Sequence, residues 1–169
     1  MHPSLAGAAL FRGVDPEDVD KVADRMFFCR YRAADVLFAQ GEPGELLYTL
    51  LEGKVKIGCR ASDGRESLFS VLGPTDMFGE LSLLDPGPRM ATATAVTDVC
   101  VAIMDRDLLR EWMWAHPEAA DQMMRVLARR LRRMSAGRAE LVFVDVPGRV
   151  AKLLLRLAQR FGAQRDGGV

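Results

Sequence analysis

The residues best suited to chemistry lie together in Phe78-Gly79-Glu80-Leu81-Ser82-Leu83-Leu84-Asp85-Pro86-Gly87-Pro88-Arg89-Met90-Ala91-Thr92-Ala93. Gly79 permits a sharp entry. Glu80 to Leu84 is long enough for one helical turn, whose first N–H groups lack intrahelical partners and can face an anion. Pro86-Gly87-Pro88 is a rigid turn that sends the chain back. Arg89 is then expected at the start of a strand, where its planar guanidinium can hold phosphate oxygens bidentately. Glu80 is misplaced beside a phosphate unless it accepts from a hydroxyl, such as a ribose 2′-OH. Taken alone, a loop with one arginine and one glutamate is more often a surface ion pair. The residues by themselves leave both readings open.

Other chemistries have little to work with. His2 and His116 are the only histidines, so a multi-histidine metal site is excluded and a Ser-His-Asp triad is disfavoured. Cys29, Cys59 and Cys100 are odd in number and widely spaced, which fits neither a disulfide framework nor a CxxC metal site and suits a reducing cytoplasm. No apolar run approaches a membrane span, and the first ten residues lack the basic start of a signal peptide. With 49% hydrophobic and 27% charged residues the chain can bury a core. The 169 residues are enough for one domain or a domain with a short appendage. Lys+Arg and Asp+Glu balance at 23 each, so general polyanion binding is disfavoured. Yet residues 117–169 carry 11 basic and 5 acidic side chains, a net +6 that could face phosphate but more commonly marks a solvated helix face.

The elements that would position the Gly79–Arg89 segment can be read from spacing. The first is a helix opened by Asp15 as N-cap and Pro16 at the first helical position, with Val19, Val22, Ala23 and Met26 at helical spacing. From about residue 30 to 104 short apolar runs read as strands: Val36-Leu37-Phe38, Tyr48 to Leu51, Val55-Lys56-Ile57, Leu68 to Leu72 and Val99 to Met104. Glycines 41, 44, 53, 58, 64 and 73 punctuate them as turns, Ser62-Asp63-Gly64 being the clearest hairpin turn. A barrel or double-sheet roll follows. Asp105 then caps a short helix carrying Leu108, Leu109, Trp112 and Met113, and Pro117 opens a longer one. In the longer helix Ala120, Met124, Leu127, Leu131, Met134, Arg138 and Leu141 form a heptad seam interrupted by Arg138. The same helix could pack on its own roll. Its narrow apolar stripe amid Arg125, Arg129, Arg130, Arg132 and Arg133 favours pairing with a second copy. Asp145-Val146-Pro147 starts a last helix, with Val150, Leu153, Leu154 and Leu157 on one face and Gly162 as its stop.

The Phe78–Ala93 segment resembles the phosphate-binding cassette of cyclic nucleotide-binding domains, whose core reads G-E-L, a short spacer, then R and small residues. The resemblance covers nearly the whole chain. Phe38-Ala39-Gln40-Gly41-Glu42-Pro43-Gly44, Tyr48 and Gly53-Lys54-Val55 are similar to that domain's β-roll. Leu127-Ala128-Arg129-Arg130-Leu131 and Asp145-Val146-Pro147-Gly148-Arg149-Val150-Ala151 resemble the dimer helix and the following helix of the Crp/Fnr transcription regulators. Asp63-Gly64-Arg65-Glu66, Phe78 to Ser82 and Asp85 to Arg89 are closest to the actinobacterial, GlxR-like cyclic-AMP receptor branch.

The resemblance implies roles. Arg89 neutralises a cyclic phosphate, Glu80 accepts from the ribose 2′-OH, and Gly79, Leu81 and Ser82 shape the cassette, with Met90 and Ala91 completing its return. Ile57 and Phe69 fall where the family packs apolar side chains near the base. Arg130 falls where a dimer-helix arginine reaches towards the ribose. Met134 and Ser135 fall where two polar side chains recognise adenine, one of them across the dimer. Two positions depart from the pattern: Met90 replaces Ser, Thr or Ala, and Met134 replaces Thr. Relative to Ser or Thr, each change removes a hydroxyl from the implied pocket, which fits either a pocket that still works or one with weakened, altered or absent nucleotide dependence.

The expectation is therefore a mainly β protein with flanking helices: a jelly-roll-like cyclic nucleotide-binding domain at 1–116, a dimerisation helix at 117–144, and the truncated start of a DNA-binding domain at 145–169. It is a cytoplasmic, homodimeric, non-enzymatic sensor with cyclic AMP or a related nucleotide as effector, and with no metal and no membrane contact. DNA is a partner of the full regulator, and is not bound specifically by this chain alone because the winged helix-turn-helix is missing. The alternatives are a ligand-independent or differently liganded dimerisation scaffold of the same family and, from another class, a cupin-like enzyme. The second needs clustered histidines, and neither histidine lies in the predicted roll. A haem or iron–sulfur sensor is disfavoured by the unclustered cysteines.

Overall fold

The computed structural model describes residues 2–61, 63–143 and 145–162, with side chains outside 136–144. Ser62 of the expected hairpin turn and the side chains of Arg138 and Leu141 in the heptad seam lie outside the described residues. Two compact units divide the chain, Met1–Met124 and Arg125–Val169.

In the first unit a short helix α1 (Pro3–Ala6) and a 3-10 turn at Ala9–Phe11 precede helix α2 (Pro16–Ala23). The expectation that the chain's first element starts at Asp15 is corrected here. Leu5, Leu10 and Phe11 of these two pieces are almost fully buried, but four residues are too few to show a helical repeat. Asp15 caps α2 as expected, its carboxylate accepting from the Glu17 N–H at 2.9 Å. Strands β1 (Phe27–Tyr31), β2 (Val36–Phe38), β3 (Leu46–Glu52), β4 (Val55–Arg60), β5 (Glu66–Leu72) and β6 (Met77–Phe78) follow. The one-turn helix α3 (Glu80–Leu84) comes next, then β7 (Thr92–Ala95), β8 (Val99–Asp105) and helix α4 (Arg106–Ala115). Periodicity did not announce β1, β6 or β7. β6 is two residues long, and β7 (Thr-Ala-Thr-Ala) buries only alanine methyls.

The strands form two antiparallel four-stranded sheets, ordered β1-β8-β3-β6 and β2-β7-β4-β5. Between them lies a core of Leu37, Phe38, Tyr48, Leu50, Val55, Leu72, Phe78, Ala93, Ala95, Val99, Val101 and Ile103. β3 is apolar on both faces: Tyr48 and Leu50 face this core, while Leu47, Thr49 and Leu51 are equally buried on the side where α1 packs. A strand covered on both faces reads as a continuous run rather than an alternation. Gly58 lies inside β4 rather than in a turn. The pairing shifts there, Ile57 opposing Ser70 while Gly58 opposes Leu68, so Phe69 is the extra residue of a β-bulge. Gly64 does supply the hairpin turn between β4 and β5, with φ of 85°.

α4 begins at the expected cap, where Asp105 accepts from the Leu108 N–H at 2.8 Å. Leu108, Leu109 and Trp112 are buried. Helix α5 (Pro117–Phe143) starts in the first unit, where Ala119 and Met123 are buried, and continues into the second. Helix α6 (Val146–Phe161) belongs to the second unit. Asp145 caps it through the Gly148 N–H, and the Gly162 N–H closes its end on the Ala158 carbonyl at 2.8 Å.

Candidate ligand-binding site

The segment from Gly79 to Ala91 forms a cassette anchored on β3, β6 and the loop after β2. Gly79 caps α3 in the left-handed region, with φ of 84°. A Cβ there would come within 2.8 Å of the Arg89 Nη1 and 2.9 Å of the Leu46 carbonyl, so both conformation and space demand glycine. α3 turns Glu80, Ser82 and Leu83 inward and leaves Leu81 and Leu84 exposed. On the return, Pro88 pairs with Pro43. The Arg89 N–H donates to the Glu42 carbonyl, and the Gly41 N–H donates to the Arg89 carbonyl. Gly44 of the same loop lies so close to Ser82 that an added Cβ would overlap its side chain. The glycines at 44 and 79 thus serve close docking of the cassette onto the roll, while Gly41 supplies a turn with φ of 89° and open space beside it.

Arg89 is not at the start of a strand as expected, because β7 begins at Thr92. Its backbone hydrogen bonds go to the 41–42 loop, so the sheet ladder starts only after the cassette has been tied down. Nor do Glu80 and Arg89 form a surface ion pair, since they are 2% and 4% exposed. The guanidinium is held from inside. Nη1 donates to the Gly79 carbonyl at 2.7 Å and to the Ser82 Oγ at 3.1 Å, and Nη2 donates to the Leu46 carbonyl at 2.9 Å. Its Cζ stands 4.2 Å from the Phe38 ring centroid and 5.8 Å from that of Tyr48. Nε is buried and makes no hydrogen bond among the described residues. Burial pushes the guanidinium below its ordinary pKa, opposed by nearby Tyr48, Glu80 and Glu42. Burial likewise raises the Tyr48 phenol. A planar cation with unused in-plane donor capacity, walled by a one-turn helix, is equipped to meet an anion.

The other sequence-predicted residues divide into two groups. Ile57 on β4 opposes Ala93 of β7, two residues beyond Ala91, and packs against the core. Phe69 bulges from the neighbouring β5 and is 59% exposed. Met90 is 69% exposed and Ala91 is half-buried. The cassette exit, Ile57 and Phe69 therefore share one sheet. Arg130, Met134 and Ser135 lie on α5 in the second unit, with Met134 66% exposed. Sequence reasoning missed Phe38 and Tyr48 as neighbours of Arg89. It also missed Arg106, whose Nη2 donates to the Ser82 carbonyl at 3.2 Å and ties α3 to the start of α4. An aromatic residue at the end of β2, just before the glycine loop, was the only available signal. His2 accepts from the Ser4 N–H at the start of α1, and His116 packs on Trp112 at the end of α4. Among the described residues no group of three or more His, Cys, Asp or Glu is placed to hold a metal ion.

Comparison with known proteins agrees with this geometry. The cyclic nucleotide-binding domain family matches residues 28–116. The chain is 52% identical over all 169 residues to the CRP-like cAMP-activated global transcriptional regulator of Mycobacterium tuberculosis, spanning 75% of that protein. It is similar to the crystal structure of the N-terminal domain of a transcriptional regulator from Streptomyces coelicolor A3(2), at 40% identity and a TM-score of 0.63, covering 78% of this chain and 94% of that one. The Thermus thermophilus catabolite activator protein matches at 34% identity and a TM-score of 0.74, covering 91% of this chain and 72% of that one. With a family match over more than half its length and a relative sharing every second residue, this chain belongs to the cyclic nucleotide-binding domain family, in its Crp/Fnr group of transcription regulators.

Proposed function

We propose that this chain is the ligand-sensing and dimerisation portion of a Crp/Fnr-type regulator, and that it binds cyclic AMP or a related cyclic nucleotide in the Gly79–Ala91 cassette. The observation that carries the reading is Arg89: a buried cation whose hydrogen-bond acceptors are two carbonyls and a hydroxyl, with Nε making no hydrogen bond among the described residues. The cyclic phosphate engages Arg89, Glu80 holds the ribose hydroxyl, and Ile57 and Phe69 flank the base. The M. tuberculosis relative is named as cAMP-activated, which selects cyclic AMP as the first ligand to test. Removing a charge-assisted hydrogen bond costs about 1.5–3 kcal/mol, so Arg89→Ala weakens cyclic AMP about 10- to 150-fold in calorimetric titration. Unchanged titration curves overturn the assignment.

The domain roles follow the same proposal: nucleotide binding in 1–116, dimerisation through 117–144, and the start of DNA-binding structure in 145–169. α5 pairs with a second copy along Met124, Leu127, Leu131 and Met134, and Arg130, Met134 and Ser135 complete the nucleotide site from that helix. Exposure of Met124, Leu131 and Met134 in the single chain supports this. Ligand binding biases a two-state equilibrium that controls DNA binding by the whole regulator. We place sequence-specific DNA reading outside residues 1–169 and assign no enzymatic activity. We assign a cytoplasmic location. Cys29, Cys59 and Cys100 are free thiols, and no helix among the described residues is long and apolar enough to cross a membrane. A second reading, a dimerisation scaffold that is ligand-independent or takes another ligand, draws on Met90 and Met134 standing where hydroxyls are expected. Titration with cyclic AMP and cyclic GMP separates the two.

A further inference from the structure

Three aromatic rings gather beneath the cassette arginine, and none has a role in the reading above. Phe38 closes β2, Tyr48 lies in β3, and Phe78 closes β6 immediately before Gly79. Tyr48 and Phe78 are stacked with centroids 5.2 Å apart, and Phe38 lies 5.5 Å from Tyr48 and 6.1 Å from Phe78. The cluster draws on both sheets, so the position of the Phe38 ring is fixed by the core rather than by the cassette. The Arg89 Cζ stands over that ring at 4.2 Å. A guanidinium meets phosphate oxygens edge-on, in its own plane. A ring this close beneath Cζ restricts how the guanidinium can tilt, and with it the plane from which an anion must be met. It also attracts the cation through its quadrupole, most strongly where water is excluded.

We propose that Phe38 is a positioning residue for anion recognition: its ring, held by Tyr48 and Phe78, sets the plane of the Arg89 guanidinium in the cassette. The proposal rests on the reading of the cassette as a cyclic-nucleotide site. An aliphatic side chain of similar volume at 38 fills the core but leaves Arg89 free to tilt among its carbonyl partners. Affinity for the phosphate then falls whichever base the nucleotide carries. A purely structural role for Phe38 predicts a lower melting temperature with unchanged nucleotide affinity in the folded fraction.

The test is a double-mutant cycle read by calorimetric titration with cyclic AMP and cyclic GMP. Phe38→Leu and Phe38→Met remove the ring, Phe38→Tyr keeps it, and Arg89→Lys keeps a charge that is not planar. Removing the ring is expected to weaken both nucleotides about 3- to 30-fold in the Arg89 background and less than twofold in the Arg89→Lys background. Phe38→Tyr is expected to stay within threefold of wild type. An independent readout needs no ligand. The Arg89 Nε–H resonance, assigned by its loss in Arg89→Lys, is expected to carry an aromatic ring-current shift that disappears in Phe38→Leu. Equal losses in both backgrounds, or no loss, overturn the proposal while leaving cyclic-nucleotide binding by wild type intact. If wild type binds neither nucleotide, the site reading fails and the role of Phe38 fails with it. A resonance that does not move in Phe38→Leu overturns the ring contact itself.

Discussion

The two compact units use apolar residues in opposite ways. In the first, the roll buries leucines on both faces of β3 and even encloses Glu80, Ser82 and Arg89. In the second, α6 has no buried residue, and Val150, Leu153, Leu154 and Leu155 are 48–62% exposed. On α5, Leu131 and Met134 are each 66% exposed. A helix in water draws most of its stability from packing an amphipathic face, not from propensity. The first unit can hold its shape from its own contacts. The second leaves apolar faces of α5 and α6 exposed, which is where the proposed pairing would act. A buried arginine can be positioned finely only where the surrounding core is rigid, which is why the cassette sits in the first unit.

The contrast breaks most visibly in the core. Leu50, 0% exposed between the sheets, is expected to cost about 2–5 kcal/mol of unfolding free energy as Leu50→Ala. Leu154→Ala, at a residue 61% exposed, is expected to stay within about 0.5 kcal/mol in the same denaturant melt. Equal costs would erase the distinction. The seam sharpens it. Leu131→Asp leaves the isolated chain unharmed but buries an unpaired carboxylate in a dimer, at about 3–5 kcal/mol, or roughly 150- to 5,000-fold in association. Sedimentation at tens of micromolar should show wild-type dimers and variant monomers. A wild type that sediments as a monomer contradicts the dimer.

Smaller effects compare like devices in the two units. Asp105 and Asp145 both cap helices through side-chain oxygens. Asp105→Ala is expected to lower global stability by about 1 kcal/mol, because α4 is packed on the roll. Asp145→Ala is expected to leave the global melt unmoved and speed amide exchange only in the first turn of α6. Met90 and Met134 place one departure from the family pattern in each unit. Restoring hydroxyls as Met90→Thr and Met134→Thr is then expected to gain about 2- to 12-fold each in cyclic AMP affinity, one neutral hydrogen bond apiece. A gain from Met90→Thr alone would confine the nucleotide to the first unit. No gain from either means the hydroxyls are not needed.

Much of the roll was legible because its signals are local. Asp15, Asp105 and Asp145 marked helix starts where a carboxylate caps free N–H groups, and glycines 41, 53 and 64 marked turns where φ is positive. Gly58 misled because a glycine in a bulge and a glycine in a turn look alike in sequence. The strands β1, β6 and β7 were missed because their partners, not their own periodicity, make them strands. The cassette showed itself through Gly79, Glu80, Pro86 to Pro88 and Arg89, residue types chosen by backbone geometry and charge.

By itself, then, the sequence determined five strands of the roll, the helix caps at Asp15, Asp105 and Asp145, most of the turning glycines, and the family that the cassette residues resemble, all of which depend on neighbours in the chain. Only the tertiary structure decided that Glu80 and Arg89 are buried rather than paired on the surface. It alone decided that Arg89 is tied to Leu46, Gly79 and Ser82, that Arg106 reaches the Ser82 carbonyl, and that Phe38 from the other sheet lies under the guanidinium. Burial and these contacts are set by segments up to 51 residues away in the chain, as with Phe38 and Arg89, and no local pattern records which of them will meet.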